Sequence, residues 1–160
     1  METFMQDIEA EVEDAVVPMF EQDNPSPTVR HILSLLHLDF RSEASNLSGL
    51  DMDQLRQMYM DFVGGEPVNL HKPTHRVFLL ADAEVLSEVS TTKRWLKCVQ
   101  PHYVATDHVP RHTRMGGQRY FGWFKMTTRS VVNLWEWLGM WDVCDIAPPS
   151  IAGAQLETCK

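Results

Sequence analysis

The sequence predicts an α+β protein, with N-terminal helices packed on a small mixed or antiparallel β-containing C-terminal half. Three observations point there. Apolar residues recur at helical spacing through the first 65 residues. Short runs rich in aliphatic and aromatic residues follow only after residue 75. The chain of 160 residues is 44% apolar and 22% charged, enough to bury one core without disulfide staples. Helices first and strands later is the order of an α+β fold.

The elements follow in chain order. Phe4, Ile8, Val12, Ala15, Val16 and Met19 mark an amphipathic helix with an acidic outer face. "EQDNPSP" interrupts it. Ser26 then caps a second helix, with Pro27 at its first position and Val29, Ile32, Leu33, Leu36 and Phe40 along one face. "RSEASNLSG" is a polar linker. Asp51 caps a third helix whose stripe is Met52, Leu55, Met58, Tyr59 and Phe62, and Gly64-Gly65 ends it. "EPVNLHKPTH" is a loop, "RVFLLA" (76–81) a buried strand and "DAEVLSEV" a short helix. "TTKRWLKCVQ" serves either period. "PHYVATDHVPRHTRMGG" reads as a loop and "QRYFGWFKMTT" as a strand.

A helix starting at Ser130 covers "SVVNLWEWLGMWDVC", with Val131, Leu134, Trp135, Leu138 and Trp141 as its candidate core. Its tryptophans cannot all share one face, however. Trp137 and Trp141 pair on the side away from Trp135, and the set left out of the core is a candidate docking surface. Residues 1–146 are expected to form one compact domain, with an acidic helical part (1–65) and a basic β-containing part (66–146). Residues 147–160 are expected to be a flexible tail.

Cys98, Cys144 and Cys159 cannot all pair within one chain, which points to free thiols in a reducing compartment. The acidic N-terminus lacks the basic start and apolar run of a signal peptide, and no apolar run spans a membrane. The expectation is a soluble intracellular protein, cytoplasmic or nuclear, with no membrane partner.

Charge is unevenly placed. The net is −8, and residues 1–28 alone hold eight acids and no Lys or Arg. Residues 72–129 hold ten bases against four acids. Within them "RHTRMGGQRYFGWFKMTTR" (111–129) has five Lys or Arg, four aromatics and no acid. Basic side chains that follow a phosphate backbone, with aromatic faces that stack bases, are what single-stranded nucleic acid requires. Arg111, Arg114, Arg119, Tyr120, Trp123, Lys125 and Arg129 are therefore the candidate nucleic-acid contacts, for single-stranded RNA or another acidic ligand. On a strand, Tyr120, Gly122 and Phe124 share one face, and Phe121, Trp123 and Lys125 the other. "RYFGWFKM" resembles the RNP1 motif of RNA-recognition domains at Arg119, Phe121, Gly122 and Trp123. It departs from that motif at Tyr120, Phe124 and Met126, and no companion strand precedes it, so the family is not assigned.

Two further readings compete. One is a protein-interaction module, a small accessory or adaptor protein of the compact kind viruses encode, using the Trp-rich and acidic surfaces. The other is a zinc-dependent enzyme or zinc-stabilised module built from Cys98, His102, His108 and His112, whose spacing matches no common zinc pattern. "HKPTH" lacks the Glu of a zincin helix and carries Pro73 between its histidines. No acid–base–nucleophile set assembles, so neither catalytic residues nor a cofactor are expected.

Overall fold

The computed structural model describes residues 41–62, 68–88, 95–110, 118–148, 150–151 and 154–155. The two helices expected before residue 41 lie outside them. α1 (Ala44–Leu47) is a single turn inside the expected linker. α2 (Met52–Phe62) matches the third expected helix. Asp51 and Gln54 form a reciprocal capping box there. The Gln54 amide donates to Asp51 Oδ1 at 2.8 Å, and the Asp51 amide donates to Gln54 Oε1 at 2.9 Å.

Three strands make one antiparallel sheet in the order β1 (Phe78–Leu80), β2 (Trp95–Val99), β3 (Trp123–Thr127). α3 (Ala83–Glu88) joins β1 to β2, with Asp82 Oδ1 accepting from the Val85 amide at 3.0 Å. β3 leads through a 3₁₀ turn (Thr128–Ser130) into α4 (Val131–Leu138), and a short α5 (Val143–Ile146) follows. The helix expected over 130–144 thus breaks after Leu138. Residues expected to form a tail include a minimal hairpin, β4 (Ser150–Ile151) with β5 (Ala154–Gln155).

The register sorts the sheet into two faces. Leu79, Leu96, Cys98, Phe124 and Met126 point one way, and Phe78, Leu80, Trp95, Lys97, Val99, Trp123, Lys125 and Thr127 the other. The first face forms the core with Val131, Leu134 and Leu138 of α4 and Val143 of α5. The second face is covered too. Val85 of α3 is buried over it, and the Tyr59 ring of α2 stacks on Phe78 with centroids 5.1 Å apart. The central strand β2 is therefore buried at all five positions, which explains why "WLKCV" shows no alternation.

Lys97 lies in the middle of that strand, directly opposite Lys125. Its side chain is 8% exposed, and its ammonium is 2.6 Å from Asp82 and 2.5 Å from Glu84. Glu84 reaches Lys125 with its other oxygen at 2.6 Å. One carboxylate from α3 thus bridges two cross-strand lysines that would otherwise repel, and Asp82 supplies the second negative charge. Hydrogen bonds from Lys125 and then Lys97 hold the Glu84 carboxyl at about 2, far below its usual 4.5. Burial pulls the Lys97 pKa down, but its bonds to Asp82 and Glu84 outweigh that and the net shift is upward.

At the other end of the β2–β3 pair, Arg56 of α2 clips the strands. Its Nε donates to the Gln100 carbonyl at 3.1 Å, and its Nη2 to the Phe121 and Gly122 carbonyls at 3.3 and 3.2 Å. The guanidinium also lies over the Tyr103 ring, 5.1 Å from its centroid. Gly122 takes φ +77°, and a Cβ there would stand 2.3 Å from Tyr103 Cγ and 2.6 Å from Arg56 Nη2.

Two outcomes test these constraints. Neutralising the acids (Asp82→Asn with Glu84→Gln) strands Lys97 in the sheet and should cost about 3 kcal/mol of unfolding free energy. Lys97→Met leaves carboxylates that water can reach and should cost under about 1 kcal/mol. Because the folded pKa of Glu84 is depressed, its contribution is full above the usual 4.5 and fades as pH falls toward about 2. Glu84→Gln should flatten that part of the stability profile. Gly49 has φ +79° with nothing near its missing Cβ. Chemical denaturation should therefore give about 1 kcal/mol for Gly49→Ala and about 3 kcal/mol for Gly122→Ala, the difference being the clash.

Candidate protein interface

The residues expected to meet nucleic acid separate into different environments. Arg111 and Arg114 lie outside the described residues. Arg119 is exposed and already has an interaction of its own. Tyr120 is buried in the core, edge-on to Tyr103 at 5.8 Å and to His108 at 5.1 Å. Burial, followed by the nearby Cys98 and Cys144 thiols, pushes its phenol pKa far up. Trp123 is half-buried with the Lys97 ammonium 5.1 Å from its ring centroid, and Lys125 is paired to Glu84. Arg129 follows the far end of β3, with its backbone in the 3₁₀ turn. A five-residue strand, roughly 17 Å long, separates that turn from the Arg119 end.

The candidate zinc ligands do not converge either. Cys98 is fully buried, and burial pushes its thiol pKa far up. His102 is exposed, and His108 stacks on Tyr103 with centroids 5.3 Å apart. His112 lies outside the described residues. His75 Nδ1 accepts from the Asn69 amide at 3.0 Å and so closes the loop from Asn69 to His75. Among the described residues no group of three His, Cys, Asp or Glu is placed to hold a metal ion, and no helix is long and apolar enough to cross a membrane.

The end of α4 is different. The Met140 and Trp141 amides both donate to the Trp137 carbonyl, at 2.9 and 2.8 Å, so the winding continues briefly past Leu138. Arg76, ahead of β1, then fixes the corner. Its Nη1 donates to the Leu138 carbonyl at 2.9 Å, which satisfies an orphan group at the helix end, and its Nη2 pairs with Asp142 at 2.5 Å. Asp142 in turn starts α5, whose Val143 is buried. The corner is thus tied to the sheet by a charged clamp and to the core by its two flanking helices.

On that fixed corner Met140 is 61% exposed and Trp141 58% exposed. Trp95 is buried, and Trp123, Trp135 and Trp137 are half-buried. Trp141 was expected among the core residues of this helix. It leaves the core because the helix ends at Leu138 and the chain turns to bury Val143 instead. Glu136, Asp142 and Asp145 surround the apolar pair in sequence, all exposed. The chain matches no protein-family model, no curated protein and no solved structure.

Sequence reasoning missed Arg56, Arg76 and Lys97, and read Gly122 only as part of a strand and an RNP1-like run. The first had a visible signal, because Arg56 sits between Met52 and Tyr59 on the apolar stripe of α2, where a solvated charge does not belong.

Proposed function

We propose that the protein is a non-catalytic binding module that docks a protein partner on the Met140–Trp141 corner. The observation that carries this reading is a tryptophan and a methionine held side by side in solvent on a clamped helix end. Aromatic residues and Met are enriched at protein interfaces, and exposed tryptophans supply much of the binding energy there. A buried thiol with a raised pKa cannot supply a thiolate, so Cys98 gives no support to a catalytic reading.

Single-stranded nucleic acid, the reading the sequence suggests first, has less support. Tyr120 has no face open for stacking, and the charge of Lys125 is matched by Glu84. Binding of that kind would run through Arg119 and bases outside the described residues. It would appear as affinity for mixed-sequence single strands that falls steeply with salt.

The test compares tagged full-length protein with Met140→Ala/Trp141→Ala in cells that express it naturally. Both side chains are exposed, so the variant should keep its unfolding free energy within about 0.5 kcal/mol. It should lose a partner retained by the parent chain, with affinity reduced about thirtyfold or more. A partner held equally by both proteins would place the interface elsewhere and end this reading.

A further inference from the structure

We infer that the segment docking on this corner is basic and amphipathic, with an Arg or Lys stacked on Trp141 and an apolar side chain on Met140. This inference rests on the docking reading above and adds the partner's chemistry. Glu136 lies one turn ahead of Met140, and the Met140 and Trp141 amides both donate to the Trp137 carbonyl, so Glu136 and the apolar pair share the last turn at this helix end. Glu136, Met140 and Trp141 are all exposed there. Asp145 follows on the first turn of α5.

The charges around the corner have one sign left over. Arg76 is mostly buried and is taken up by Asp142 and the Leu138 carbonyl. Lys72 precedes the 3₁₀ turn (Pro73–His75) that packs on α4, and it is itself engaged. Glu136 and Asp145 have no ion pair among the described residues, and both are exposed. An exposed indole face attracts cations through its quadrupole, and a flanking carboxylate adds a charge-assisted hydrogen bond. Acidic or purely apolar partners would instead leave two carboxylates facing like charge or losing water without compensation. The wider sequence points the same way, since residues 130–160 hold four acids and one Lys.

The experiment is calorimetric titration of the full chain with a short amphipathic peptide of Leu and Arg at helical spacing. A twin peptide with Glu for every Arg serves as the comparison. Because an acidic chain attracts any polycation, the variants decide. The Arg peptide should bind about tenfold more weakly to Trp141→Ala and to Glu136→Gln/Asp145→Asn. It should bind unchanged to Asp61→Asn/Asp107→Asn, which removes two exposed acids elsewhere. The Glu twin should not bind. Failure of the Arg peptide to bind, or equal weakening by Asp61→Asn/Asp107→Asn, overturns the inference. If the Glu twin binds as tightly and Trp141→Ala abolishes both, the docking reading stands and the basic partner is wrong. If Trp141→Ala changes neither titration, both fall. Sedimentation of the protein alone completes the test. Self-association lost in Trp141→Ala would make the occupant a second copy and likewise overturn the inference.

Discussion

A lysine in the centre of a fully buried strand is the constraint around which this fold is arranged. Lys97 cannot leave β2, because its neighbours Leu96 and Cys98 belong to the opposite, core-forming face. It cannot stay there unpaired, because an isolated ammonium in a protein interior is too costly. The solution lies at α3, where Asp82 just ahead of the helix and Glu84 in its first turn reach over the sheet to meet it. Glu84 then also meets Lys125, so the same contact sets the pairing of β2 with β3 and the position of α3. Burying such a network is not a strong source of net stability. Its value here is specificity, since a one-residue slip of either strand would turn a lysine into the core.

Two arginines repeat this logic at the edges. Arg56 donates to the Gln100, Phe121 and Gly122 carbonyls at the edge of the β2–β3 ladder, and Gly122 makes room for it by having no side chain. Arg76 satisfies the last carbonyl of α4 and pairs with the first residue ahead of α5. In each case a planar guanidinium reaches several acceptors at once, which an ammonium cannot do with the same geometry. The corner that carries Met140 and Trp141 owes its fixed shape to the second of these clamps.

These clamps also change what the basic centre of the sequence means. Of its cations, Arg76, Lys97 and Lys125 are each matched by an acid within the fold. Part of the charge that reads as a surface for polyanions is thus matched inside the fold, and Tyr120 and Phe124 are buried while Trp123 is half-buried. The exposed Met140–Trp141 pair lies outside that centre, on a helix corner where Glu136 and Asp145 have no ion pair among the described residues.

The sequence by itself determined the α+β class, α2 with Asp51 as its cap, the strand around Phe78 and the helix after Ser130. Each of these rests on local signals: a cap such as Asp51, apolar periodicity, or a run of aliphatic residues. It also placed Phe124 on one face of β3 and Trp123 with Lys125 on the other, because strand alternation is a property of the backbone. Only the tertiary structure decided which charges remain available and which tryptophan meets solvent. Lys97 with Glu84, Arg56 with Gly122, and Arg76 with Asp142 are separated by 13, 66 and 66 residues, so local periodicity links none of these three pairs. The fate of Trp141 depends on where the helix stops. That was set by Arg76 capping Leu138 from another part of the chain and by Val143 competing for the same core.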